Sequence, residues 1–260
     1  MLALSRLFLL AALFGLPLLA SAQFGDRPRL DDKNLPKDAE ALPELPKADP
    51  KSEMKALLPE KTLYLEKKPD GTHRVLFVAE VCMREGPLEV FVCKKRTKEH
   101  ESILRVDMDA QFLHATLIAA GAKPGKPVQW VKPDTLEPQY KPASGTKIDV
   151  QIHYKKDGKL HTHAAQEWVN DLKTKKPMSY SWVFAGSRFA DNFDDPKAAK
   201  YYCANNGEVI GISNFPDSML DIPVEIGKDD GSLVFEANDK KIPPLGSKVW
   251  VIMSPVVDKK

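Results

Sequence analysis

Residues 80–125 read EVCMREGPLEVFVCKKRTKEHESILRVDMDAQFLHATLIAAGAKPG, and the fold class turns on this run. It completes a strand that begins at Arg74 (RVLFVAEVC, 74–82). Arg84-Glu85-Gly86-Pro87 then turns the chain into LEVFVC at 88–93, which has strand composition and alternation. The two segments read as an antiparallel hairpin with Cys82 and Cys93 near its flanks. SILRV at 102–106 is a further strand. Asp109 is a natural N-cap for a helix over 110–120, and Gly121 a natural stop. Leu113, Leu117 and Ala120 fall at i, i+4 and i+7, which gives that helix a core face.

Outward from this run the pattern stays strand-rich. TLYL at 62–65 precedes a Pro69-Asp70-Gly71 turn, and 147–154 and 159–163 flank Asp157-Gly158, a hairpin signal. Residues 166–173 read as a short helix carrying Trp168. Strands follow at 179–185, 201–204, 208–213, 233–237 and 248–253. No repeat of 20–50 residues is present. The expected fold is α+β: one β-rich domain over 61–256, of short, mostly antiparallel strands with one or two helices.

The start of the chain differs. Arg6, the apolar run 7–19 and Ala20-Ser21-Ala22 form a signal-peptide pattern over 1–22, and the run is shorter than the roughly 20 residues of a membrane span. The expectation is an exported protein, periplasmic or extracellular, with no transmembrane segment after cleavage. Residues 23–60 mix prolines with both charge signs and few aromatics, the composition of a disordered tether. Of the 260 residues, 43% are hydrophobic and 28% charged, with net charge +2. That balance is globular and gives no footprint for nucleic acid.

Three constellations could carry chemistry. In Lys98-Glu99-His100-Glu101-Ser102, two carboxylates flank an imidazole and would favour its protonated form, which suits a general acid, a proton-linked switch or part of a hard-metal site. The plain alternative is a solvated charged turn. Cys82 and Cys93, in an oxidising compartment, are candidates for a disulfide, with Cys203 left over; register decides whether they can bridge. His153, His161 and His163 flank the Asp157-Gly158 turn. A two-residue type I′ turn pairs His153 with Thr162 and splits the histidines between faces. A three-residue turn with a bulge gathers all three, and only that register could hold zinc or copper. No motif implies a cofactor: residues 121–126 (GAKPGK) are one residue short of a phosphate loop, and three spaced cysteines cannot ligate an iron–sulfur cluster.

Several of these stretches together resemble the YdjY-like domain of exported bacterial proteins. They are Glu80-Val81-Cys82 with Arg84-Glu85-Gly86, and Thr97-Lys98-Glu99-His100-Glu101-Ser102. They continue with His114-Ala115, Gly121-Ala122-Lys123-Pro124-Gly125 and Trp168-Val169. Further on come Trp182-Val183-Phe184-Ala185-Gly186-Ser187 and Ser213-Asn214-Phe215-Pro216 leading to Met219-Leu220-Asp221. The resemblance spans about residues 62–255 and implies a family without implying an activity. His100 and His114 fall within the shared pattern; His153, His161 and His163 do not. The expectation is therefore a non-enzymatic binding or accessory module of the cell envelope, with a protein partner there. Its candidate cluster is Glu99, His100, Glu101, Ser102 and His114. Against it stand a hydrolase using His100 with Ser102 or a metal, and a purely structural envelope protein.

Overall fold

The computed structural model describes residues 30, 35–131, 139–191, 197–226 and 234–256. The signal-peptide pattern lies outside the described residues. The main sheet has eleven strands, here labelled in chain order: β1 (Glu53–Ala56), β2 (Leu63–Lys67), β3 (His73–Val81), β4 (Val90–Lys94), β5 (Ser102–Val106), β6 (Lys147–Lys156), β7 (Lys159–Ala164), β8 (Trp182–Phe184), β9 (Ile210–Gly211), β10 (Leu220–Asp221) and β11 (Lys248–Pro255). Helix α1 spans Ala110–Ala119.

The order β3-β11-β6-β8-β10-β9-β4-β5 closes on itself, because β5 returns to β3 through Glu80↔Arg105 and Val81↔Leu104. This corrects the α+β expectation. The fold is a closed eight-stranded β-barrel, and α1 is the one α-helix among the described residues. The stretch expected as a helix at 166–173 is a 3₁₀ turn, Ala165–Trp168, followed by strand Val169–Asp171. Closure removes sheet edges around the ring, and an eight-stranded interior is just wide enough to be filled by side chains. Here Phe91 packs against both Trp168 and Trp182, and Trp182 Nε1 donates to the Gly211 carbonyl at 2.9 Å.

The expected hairpin of 74–82 with 88–93 does not form. β5 stands between the two segments: it pairs with β3 antiparallel and with β4 parallel. β4 and β5 are joined by residues 95–101 alone, shorter than the dozen or so residues a parallel crossover usually takes. The disulfide expectation is not met either. Cys82 bonds through its N–H to Ile103 O, while Cys93 pairs with Arg105 on the far side of β5. Burial, and then the Cys93 side chain within hydrogen-bond reach, hold the Cys82 thiol well above its ordinary pKa, but no S–S bond joins the two. All three cysteines are free thiols.

Strands β3, β6 and β11 extend past the ring, where β1 and β2 flank β3 and β7 flanks β6. Residues 35–48 lie within the stretch expected to be a tether, yet they form a strap over the outer face of this extension. Leu42 and Leu45 pack on Leu76, Trp250 and Ile252, and Trp250 Nε1 donates to Pro43 O at 3.0 Å. Lys248 N–H donates to Glu40 O, and the buried Glu66 carboxylate accepts from Ala48 N–H and from Arg74.

Candidate functional site

The KEHES run is the 95–101 crossover itself, and its charges are divided between two sides. Glu99 is buried; it accepts from Arg96 N–H at 2.8 Å and pairs with Arg105 at 3.3 Å. Arg105, also buried, reaches Glu80 at 3.0 Å as well. Glu101 faces the other way, toward Lys98 Nζ at 2.8 Å. Lys98 also contacts Glu208 at 3.3 Å and lies 4.1 Å over the Phe215 ring. Ser102 is fully buried in the barrel wall, where its hydroxyl donates to Leu104 O. His100 is 57% exposed, and its Nε2 stands 3.7 Å from Glu101. The structure thus sets His100 beside Glu101 and within the field of Glu89, with Glu99 turned away to Arg105.

The electrostatics around Lys98 are those of a closed ion cluster. Burial alone would lower the Lys98 pKa, but its contacts with Glu101 and Glu208 outweigh that and hold the ammonium above its ordinary value. Burial raises the Glu89 carboxyl, and adjacent Glu101 raises it further; Glu208 is raised chiefly by burial. These groups stitch the crossover to the chain at 207–217. Glycine at 207 is required, since its φ is +132° and a Cβ there would meet Thr97 Oγ1 at 2.8 Å.

His114 lies elsewhere, on α1. Asp109 caps the helix by accepting from Gln111 N–H, and Asn205 ties that end to the turn Cys203–Asn206 by accepting from Ala110 N–H. The His114 ring sits edge-on against Phe184 and Tyr202, with Nδ1 2.8 Å from Tyr202 Oη. Tyr202 Oη donates to the Gly186 carbonyl at 3.1 Å. The His114 ring, Tyr202 Oη and the Gly186 carbonyl thus form one hydrogen-bonded cluster, in which the carbonyl is the acceptor shared by the ring and the phenol. Burial lowers the His114 pKa, outweighing an opposing contribution from Gly186, so the ring is neutral at pH 7. Beside it, Phe189 packs on Tyr202, and both Phe189 and Tyr201 are exposed.

The three strand histidines are separated by their turn. Asp157 and Gly158 both take positive φ, the type I′ geometry, and His153 pairs with Thr162. His161 and His163 stack with Tyr154 on the other face, and His163 Nδ1 meets Glu167 at 3.0 Å. Among the described residues, no group of three or more His, Cys, Asp or Glu could hold a metal ion.

A family model, the YdjY domain, matches residues 70–254. The chain belongs to the YdjY domain family. No curated protein and no solved structure matches it. The stretches that carry the YdjY resemblance converge in two places. The KEHES run meets Phe215 and Glu208 around Lys98. His114, the glycine-rich 121–125 loop and WVFAGS meet around Phe184 and Gly186. There Gly125 N–H donates to Phe184 O, and Cβ atoms on Gly125 and Gly145 would fall 2.2 Å from Ser144 O and 2.1 Å from Phe184 O. The run that looks like a truncated phosphate loop is thus a close-packing element of the YdjY domain.

Tyr202, Glu89 and Glu208 were missed by sequence reasoning. Their partners are distant in the chain, and no local pattern marks them. Asp221, in the family's MLD triplet, was missed as a buried acid. Burial raises its pKa to about 7, against the lowering effect of backbone N–H groups of Ile222, Asn214 and Phe215, of which Ile222 N–H donates to Oδ1 at 2.8 Å.

Proposed function

We propose that this YdjY domain is a non-enzymatic binding module of the cell envelope, exported through residues 1–22 and docking on a protein partner through α1. The observation that carries this reading is the composition of the outward helix face. α1 reads AQFLHATLIA and contains no charged residue, although 28% of the chain is charged. Phe112, Ala115, Ile118 and Ala119 are exposed, and half-buried His114 sits at the edge of that arc. A helix apolar on all sides is ordinarily buried, and contiguous exposed apolar surface marks interaction sites. Exposed Phe189 and Tyr201 extend the surface from the strand pair that holds Tyr202 against His114. Enzymatic use of His100 with Ser102 finds no support in their placement.

Site-specific photocrosslinking in cells making the full chain tests the reading. A photoreactive phenylalanine at position 112 or 189 should give a discrete protein adduct, and one at Lys55 on β1 should not. Equal crosslinking at all three positions, or none at 112 and 189, would overturn it.

A further inference from the structure

We propose that the free edge of β7 is a docking rail for an extended acidic segment of a partner protein, which joins the sheet as one more strand. This surface is independent of α1.

The two-residue type I′ turn fixes which backbone groups are spoken for. Its closing pair, Lys156 and Lys159, exchanges hydrogen bonds, as do Tyr154 with His161 and Ile152 with His163. The intervening pair, His153 and Thr162, does not, and there the side chains approach instead: His153 Nδ1 lies 2.8 Å from Thr162 Oγ1. The backbone N–H and C=O of Leu160 and Thr162 therefore point away from β6. Among the described residues nothing pairs with that side of β7. The strand is six residues long, contains no proline, and exposes Lys159, Leu160, Thr162 and Ala164. The other edge, β1, is four residues long and is flanked by Pro50 and Pro59. An uncovered edge of this kind is what strand-addition ligands use, with main-chain bonds for affinity and alternate side chains for specificity.

Charge selects the occupant. Lys155, Lys156 and Lys159 ring the hairpin tip, and Arg84 and Lys241 lie close enough to Lys156 to add to its field; Asp157, Asp239, Glu40, which accepts from Gly158 N–H at 3.2 Å, and Glu167, paired with Lys241 at 3.3 Å, offset part of this. Burial first, and those two cations with it, disfavour a further positive charge there. Acidic side chains at alternate positions would instead complement the tip, with an apolar residue set against Leu160.

The test uses the purified full chain and two capped heptapeptides, one alternating Glu and Val, the other Lys and Val. The Glu/Val peptide should bind, at least tenfold more tightly than the Lys/Val peptide, and should protect the Leu160 and Thr162 amides from hydrogen exchange. Thr162→Pro removes the outward N–H together with the hydroxyl that meets His153 Nδ1, and leaves the β6–β7 backbone bonds in place; Thr162→Val, which loses the hydroxyl alone, is its control. The proline variant should weaken the Glu/Val peptide at least tenfold without changing the melting temperature. Lys155→Glu with Lys159→Glu should reverse the peptide preference, and this second test stands if the proline variant fails to fold. No binding of the Glu/Val peptide, equal binding of both peptides, unchanged affinity in Thr162→Pro folded like the parent, or dimerisation through β7 would each overturn the proposal.

Discussion

Asp221 makes the sharpest residue-scale prediction. Its carboxyl is fully buried, and its folded-state pKa of about 7 stands above the 3.8 of an unperturbed Asp. The folded state therefore holds the proton more tightly than the unfolded chain. The stability linked to this group is fully present below about pH 4 and is lost as pH rises through 7, by up to about 4 kcal/mol. Asp221→Asn should flatten that limb in urea titrations run from pH 4.5 to 8. A variant with the parent's pH dependence would show that Asp221 ionises freely in the fold. Tyr202→Phe is the matching test at His114. It should remove the partner of Nδ1, so that the His114 ring signals in long-range ¹H–¹⁵N correlations shift. An unchanged pattern would mean that Gly186 alone fixes the ring.

At the scale of elements, much of the secondary structure could be read from the chain, and the partnerships could not. The Asp109 cap, the strand at 74–81 and the Asp157-Gly158 hairpin are each set within about a dozen residues, where periodicity and turn chemistry operate. Barrel closure rests on two residue pairs between β3 and β5, and on strands as short as Ile210–Gly211 and Leu220–Asp221. Strands of two residues carry no period. The same composition that suggested a 74–82 with 88–93 hairpin is met equally by two strands separated by β5. KEHES was recognisable as a dense polar cluster, but its division between Arg105 and Lys98 depends on residues far along the chain. Glycine placement was partly legible: positions 121–125 stood out, but the reason lies in the approach of Phe184. Gly145→Ala should cost at least about 3 kcal/mol in urea denaturation, because φ is +136° and the new Cβ would fall 2.1 Å from Phe184 O. A loss under 1 kcal/mol would mean that this packing gives way easily.

For the whole molecule, the barrel, the strap and α1 play different parts. The barrel interior is filled by aromatic and aliphatic side chains and supplies rigidity. The strap covers an outer face that would otherwise expose Trp250, Leu76 and Ile252. A chain starting at residue 51 should lose about 3 kcal/mol or more, from the buried area of Leu42 and Leu45 and the lost Trp250 bond. Its tryptophan emission should move to the red. Unchanged stability and emission would return residues 35–48 to the role of a tether. α1, with the Phe189–Ala190 and Tyr201–Tyr202 strands beside it, presents a charge-free surface outward, and neither barrel closure nor the strap gives it a structural reason to be apolar there.

Whether this face is an interface is read most simply by native mass analysis of the tagged protein released from envelopes. The parent protein should run in a complex heavier than its mature chain, which without residues 1–22 is lighter than the 29.0 kDa of the full sequence. Phe112→Glu with Phe189→Glu should return it to the size of the free chain with its melting temperature unchanged. A parent chain that runs alone, or a folded double variant that keeps the complex, would contradict the claim.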